Sequence, residues 1–437
     1  MNKQLIFGFL FFIWINCWAQ NQHYEELEKF FDVLEENNQF MGSVQLIKND
    51  SLVYERNIGY SDIKNGETNN SHTHYAIGSI TKTYTATLIL MAFEEGKIEL
   101  ETSLDHFFPQ VDNAQNITIQ HLLQHRSGIP NITSEPDYME WNTKPQSRKE
   151  IMEKINEYNS EFIPGTYFSY SNTNYILLTY LLEDLYQKDF ASLLKEKITS
   201  KIGLSNTYYG ELPSSNLALS YLYQDGWIQQ PTTHFSVPLG AGAIFSTIGD
   251  MNTFASALFS GKLLSVASME LMLDTKDNFG MGIITFPYYN IIGYGHSGGI
   301  DGFQSFFGYL PYEKIGYTIL SNGVRFPIND IGISLLNAVT DRPIEIPNFD
   351  NCQLNPEIQE QYIGEYSSEA LPLKISVRKS DKSLSIQATG QPSIELNCEE
   401  EAHTFSYRMV GLKIIFKPEE NSFRLLQSGG DFLFTKE

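Results

Sequence analysis

Between Gly78 and Gly96 the chain reads GSITKTYTATLILMAFEEG, a helical pattern with no polar stripe. From Ile80 to Glu95 apolar residues fall on nearly every side, with Tyr84, Leu88 and Met91 on one and Ala86, Ile89 and Phe93 on another. Such a helix belongs in the interior of a large core. A lysine one turn into it, Lys82, needs a reason, and Ser79 stands three residues earlier, where the two side chains share a face. That spacing suits a nucleophile and its base. Bringing a lysine from about 10.4 to 7 or 8 costs about 4 kcal/mol, within the reach of burial. A capping serine beside a snorkelling lysine fits the same pattern. Ser-x-x-Lys also recurs at Ser61/Lys64, Ser192/Lys195 and Ser376/Lys379, so the pair alone does not discriminate.

Upstream, residues 42–60 read as a hairpin, with Val44, Leu46, Leu52 and Val53 around the turn Lys48-Asn49-Asp50-Ser51. At the N-terminus Lys3 precedes an apolar run from Leu5 to Ile15, and Cys17-Trp18-Ala19 offers small residues where a signal peptidase reads, so cleavage is expected after Ala19. The run is too short for a bilayer core that needs about 20 residues, and no later stretch is long enough either. A secreted or periplasmic protein without stable membrane insertion follows. Cys17 leaves with the leader. Cys352 and Cys398 then meet oxidising conditions, where they either pair, worth about 4 kcal/mol, or stay as two free thiols.

Downstream, residues 100–240 mix helical patterns, such as Tyr175 to Tyr186, with Pro- and Asn-rich loops and no sustained strand alternation. Strand patterns return at Ser305 to Tyr309 and Gly316 to Leu320, and a helix from Ile328 to Val339 would cover them. Pro343, Pro347 and Pro356 punctuate a linker. Short alternating runs follow at Leu373/Ile375/Val377, Phe405/Tyr407/Met409, Leu412 to Phe416 and Phe432 to Phe434. The expected organisation is a leader at 1–19, a main domain at 20–342, a linker at 343–360 and a small β domain at 361–437. The expected fold class is α/β (α+β): an antiparallel sheet flanked by helices with an all-helical lobe, plus a small C-terminal antiparallel β-barrel.

With 437 residues, 42% hydrophobic and 19% charged, the chain can bury a large core, which excludes disorder and coiled coil. Thirty basic against 52 acidic residues give a net charge of −22, which repels phosphate backbones and excludes nucleic acid as a partner.

Two further stretches carry chemistry. Tyr170-Ser171-Asn172 closes the run FIPGTYFSYSN (162–172): a loop tyrosine can relay protons and an amide two residues on can bond a substrate carbonyl, although Tyr288-Tyr289-Asn290 repeats the triplet. Gly295-His296-Ser297-Gly298-Gly299 leads into the strand at Ser305, and its glycines let a substrate lie on a strand edge where a backbone N–H meets an oxyanion.

In the order Ser79/Lys82, Tyr170/Asn172, His296/Gly298, with HLLQHRSGIP at 121–130 and GHSGGIDGF at 295–303, the chain from about 30 to 340 resembles the serine β-lactamase and penicillin-binding clan. The likeness is to its class C, DD-peptidase and esterase branch. The resemblance implies an acyl-enzyme on Ser79, with Lys82 and Tyr170 moving the proton and either as the base. It also implies substrate binding by Asn172, His296, Ser297, Gly298 and Gly299, and an oxyanion hole from the N–H groups of Ser79 and Gly299. A small molecule or a cell-wall peptide is the implied substrate, with no metal or organic cofactor. The oligomeric state stays open. Many penicillinases of the clan carry lysine where this chain has His296, and a neutral imidazole grips a carboxylate less firmly, which favours D-amino-acid peptidase or esterase activity over penicillin hydrolysis. Asp301 and the Ser297 hydroxyl are further substrate contacts or, alternatively, a turn residue and a strand-edge serine.

Three rival readings remain. GHSGG fits an α/β-hydrolase elbow with Ser297 as nucleophile, though the only later histidine is His403. His121 and His125 stand one helical turn apart, but Leu122 sits where a HExxH site keeps its glutamate. A non-catalytic envelope receptor, binding penicillin or acting as a sensor, would keep the same motifs without turnover.

Overall fold

The computed structural model describes residues 23–210, 216–224, 226–349, 356–380, 383–399, 401–407, 410–427 and 429–437. They fall into two compact units: 23–27, 38–324 and 332–344 in the first, and 28–37, 325–331 and 345–437 in the second. The leader expected at 1–19 lies outside the described residues, as does Cys352. Among the described residues no helix is long and apolar enough to cross a membrane.

The first unit is built on an antiparallel sheet. Its strands are β1 (Phe40–Lys48), β2 (Ser51–Ile58), β3 (Ile284–Tyr288), β4 (Ile291–Ile300), β5 (Phe303–Leu310) and β6 (Ile315–Val324), in the order β3-β4-β5-β6-β1-β2. The expected hairpin is β1–β2, and its turn residues Asn49 (φ 53°) and Asp50 (φ 59°) both adopt the left-handed conformation of a type I′ turn. β6 lies between β5 and β1 and is buried along its whole length.

Helices α1 (Thr81–Glu94), α2 (Asn172–Tyr186) and α3 (Ile248–Phe259) lie wholly in this unit, and α4 (Ile328–Val339) belongs to it from Gly332 onward. Thr318 of β6 donates to Asn252 of α3 at 2.9 Å, whereas its neighbour Tyr317 faces Gly332 of α4. Successive strand residues point to opposite faces, so the two helices cover the sheet from both sides. α1 is buried from Thr81 to Ala92, as its sequence requires. Its hydroxyls are satisfied there: Thr83 donates to Gly282 O at 2.7 Å, Thr85 to Gly240 O at 2.7 Å and Thr87 to Thr83 O at 2.7 Å, while Thr81 accepts from Ile244 N at 3.2 Å. Without these bonds each buried hydroxyl would destabilise the core.

The structure differs from the sequence expectation in two places. The stretch from 100 to 240 is not wholly helical. Tyr221–Tyr223 pairs with Trp227–Gln229, and Tyr208–Tyr209 joins Ile244–Ser246 and Tyr75–Ala76 in a small sheet. Strands of two or three residues are too short to alternate visibly. The GHSGG stretch does not merely precede a strand; it is strand β4, held by pairing with β3 and β5 rather than by β-forming side chains. Ser297 therefore sits within an antiparallel strand that runs on into another strand. An α/β-hydrolase elbow needs a strand-to-helix turn, so that rival is overturned.

In the second unit the strands from Gly364–Ser367 to Gly430–Lys436 close into an eight-stranded antiparallel barrel. Alternate residues fill its interior: Ile375 and Val377, Leu384 and Ile386, Ile414 and Phe416, with Tyr362, Tyr366 and Phe423 among them. Met409 of the expected Phe405/Tyr407/Met409 run lies outside the described residues. Cys398 is disulfide-bonded.

Candidate active site

Ser79 stands in a 3₁₀ turn, Gly78–Ile80, that feeds directly into α1. The turn is seated against β4 by a close backbone approach. Gly78 has φ +51°, and a Cβ there would lie 2.8 Å from Gly299 N; a Cβ on Gly298 would lie 2.0 Å from Ile77 O. Neither position accepts a side chain. Ser305 of β5 donates to the same Ile77 carbonyl at 2.9 Å. The strand edge is thereby fixed beside the serine.

Lys82 Nζ is hydrogen-bonded to Ser79 Oγ at 2.9 Å and donates to Ala241 O at 2.7 Å. The lysine is fully buried, and no carboxylate pairs with it among the described residues. Desolvation without a counter-ion holds its amine well below the ordinary lysine range. The Ala241 carbonyl belongs to the turn Leu239–Ala241, which is anchored to two helices: Gly240 O accepts from Thr85, and Gly240 N donates to Thr179 Oγ1 at 3.0 Å.

Tyr170 reaches the same place from the loop before α2. Its ring centroid lies 5.0 Å from Lys82 Nζ. Burial pushes the phenol above its ordinary value, and a hydrogen bond with Ser79 pulls the other way. His125 fixes the loop on both sides of Tyr170, because Ser169 N donates to His125 O at 3.0 Å and Ser171 N to His125 Nδ1 at 3.1 Å. The imidazole stacks on the Tyr170 ring at 4.2 Å between centroids. Burial first, then Lys82 and His296, hold His125 well below the usual histidine range. Its partner in the rival zinc reading, His121, instead completes the capping box of Ile119–Leu123 with Thr118.

Asn172 heads α2, but its amide nitrogen donates to Thr133 Oγ1 at 3.0 Å and its backbone N–H to Asn131 Oδ1 at 3.0 Å. Both contacts tie Asn172 to the 131–133 turn. On β4, His296 is buried and its Nδ1–H donates to Ser297 O at 2.6 Å. Burial, then Lys82, lower it to about 4, so the ring is neutral. Ser297 and Gly299 are exposed, and Gly298 is buried.

The structure therefore brings Ser79, Lys82, Tyr170, His296, Gly298 and Gly299 around one point, with Ser297 on the rim and Asn172 tied through its amide nitrogen to Thr133. Two groups escaped the sequence reading. Ala241 acts through its carbonyl, which leaves no side-chain signal beyond the small-residue run 240–243. His125 was weighed only as a metal ligand, although it lies in the quoted run HLLQHRSGIP.

Residues 28–333 match the family described as Beta-lactamase. The chain belongs to that family. It is a hydrolase of the β-lactamase-related, penicillin-binding kind, and it is similar to two curated relatives and to a solved structure. Penicillin-binding protein 4* of Bacillus subtilis (strain 168) is 24% identical over 451 residues, covering 93% of this chain and 97% of that protein. Teichoic acid D-alanine hydrolase of Staphylococcus aureus is 26% identical over 253 residues, 56% of this chain and 60% of that one. Among solved structures, D-amino acid amidase from Ochrobactrum anthropi SV3 superposes with a TM-score of 0.65 at 22% identity, over 72% of this chain and 99% of that chain, and so shares the fold.

Proposed function

We propose that Ser79 is the nucleophile of an acyl-enzyme mechanism acting on amide and ester carbonyls. The observation that carries this reading is a lysine buried without a counter-ion and hydrogen-bonded to Ser79 Oγ at 2.9 Å. A neutral amine has two N–H donors and one lone pair. Ala241 O takes one N–H, and in this reading the lone pair is left for the serine hydroxyl, 2.9 Å away. Lys82 is then the base and Tyr170 is not, because a phenol raised above its usual value stays protonated at neutral pH.

In this mechanism Lys82 takes the Ser79 proton as Oγ bonds to the carbonyl carbon. The carbonyl electrons move onto oxygen, opposite the N–H groups of Ser79 and Gly299. As the bond to the leaving group breaks, Tyr170 gives the departing atom a proton and is reprotonated by Lys82. Water repeats the sequence on the acyl-enzyme and regenerates Ser79.

The names of the relatives put D-aminoacyl esters and amides first among substrates, and the neutral His296 offers no cation for a penicillin carboxylate. Labelling with a fluorophosphonate, read by intact mass, tests the assignment. Wild type and Ser297→Ala are expected to gain one adduct and Ser79→Ala none; labelling of Ser79→Ala at the wild-type rate would refute it. Export through residues 1–19 belongs to the same proposal, and Gln20 is the expected first residue of the secreted protein on N-terminal sequencing.

A further inference from the structure

Resting on the acyl-enzyme reading, we propose that a cavity at the end of β4, closed by the Asp301 carboxylate, receives the acyl half of the substrate and selects one carrying an ammonium group.

The direction of β4 assigns the two halves. Gly78, and with it Ser79, is seated against Gly299. On one side of that contact lies His296, electrostatically coupled to Lys82 and His125, and His125 stacks on Tyr170. Tyr170 is the group proposed to protonate the leaving atom, so the leaving group occupies the His296 side. The acyl half is left with the other end, Ile300 and Asp301.

A cavity of about 250 Å³ opens there, walled by Ala76, Phe235, Pro238, Phe245 and Ile300. Gly242 also lines it, and a Cβ on Gly242 would lie 4.0 Å from the Gly78 carbonyl carbon, so the cavity borders the nucleophile's own turn. Asp301 is two residues beyond Gly299, about 7 Å along an extended strand, the reach of one aminoacyl group with its hydrogen bond.

Asp301 is held in place rather than neutralised. It adopts φ 53°, and its carboxylate accepts from Thr233 N at 3.0 Å and Thr233 Oγ1 at 2.6 Å. Asn142 Nδ2 donates in turn to that Thr233 hydroxyl at 3.1 Å. No lysine, arginine or histidine pairs with Asp301 among the described residues, and burial pushes its carboxyl above the usual range. His234 also lines the cavity, and its Nδ1 is bonded to Ser236 Oγ at 2.8 Å. An anion with two neutral donors in an apolar cavity lacks a cation, and an ammonium with three N–H donors supplies one while an apolar side chain fills the remaining space. An α-ammonium and one on a side chain present the same chemistry.

The test compares kcat/KM of the purified full chain for p-nitroanilides of D-alanine, N-acetyl-D-alanine and Nα-acetyl-D-lysine. D-alanine (α-ammonium) or Nα-acetyl-D-lysine (side-chain ammonium) is expected to exceed neutral N-acetyl-D-alanine by about ten- to a hundred-fold. In Asp301→Asn that ratio falls toward one, and in Asp301→Glu it is largely kept. A wild-type ratio of one or less, or an Asp301→Asn variant with the wild-type ratio, overturns the subsite. Fluorophosphonate labelling separates the two readings. Labelled Ser79 without charge discrimination removes this subsite alone, whereas absence of labelling removes the acyl-enzyme reading beneath it.

Discussion

Lys82 and His125 act through burial rather than through charge. A lysine held below its ordinary value is the active base when neutral, so kcat/KM is expected to fall as pH drops through that lowered value and to stay level from there to about pH 9. A pH–rate profile whose acid limb lies in the ordinary lysine range, near 10.4, would contradict this. Because the folded-state value lies below the unfolded one, the unfolded chain holds the extra proton between them, and stability at this residue rises with pH through that window. Lys82→Arg keeps the size but not the lone pair, since a guanidinium does not deprotonate, and is expected to lose about a thousand-fold or more in acylation rate. At His125 the expected effect is positional. His125→Phe keeps a ring against Tyr170 but loses the acceptor for Ser171 N–H, and should lower kcat about ten-fold with KM within two-fold. Equal losses in kcat and in thermal stability of the whole unit would make the residue merely structural.

Strand β4 and helix α1 set the geometry as elements, and two neighbouring glycines separate their roles. Gly298→Ala places a methyl 2.0 Å from Ile77 O and must push the strand off the Ser79 turn, for an expected loss of about 1–3 kcal/mol and most of the acylation rate. Gly299→Ala meets nothing within 4 Å and is expected to leave stability within about 1 kcal/mol. Thermal denaturation with fluorophosphonate labelling of both variants checks the pair. The same elements mark how far the sequence can be read. The buried helix 80–95, the Asn49-Asp50 hairpin and the helix at 328–339 follow from periodicity and turn chemistry, and the structure has all three. β4 did not follow, because glycines, a histidine and a serine carry no strand signal and only pairing with β3 and β5 makes them a strand. Nor did the hydrogen bond of Asn172 to Thr133, which lies 39 residues away on a turn that no local pattern ties to it. Backbone groups such as Ala241 O have no sequence signature at all.

At the scale of the whole chain, the two compact units carry separate cores, and their stabilities can be probed separately. Reducing the Cys398 disulfide is expected to weaken the barrel unit by about 2–4 kcal/mol, read as a shift of its denaturant midpoint with and without a thiol. Phe423→Ala should cost that unit about 3–5 kcal/mol, because the ring is fully buried between Tyr366 at 4.8 Å and Phe434 at 5.0 Å. The barrel lumen is packed along its axis by further rings, with Tyr362 and Phe416 at 4.6 Å and Phe405 and Phe416 at 5.5 Å. A greasy guest would have to evict that aromatic column before it could lodge inside. Closed barrels elsewhere serve as vessels; the described residues of this one fill its interior with side chains, more a plug than a cup.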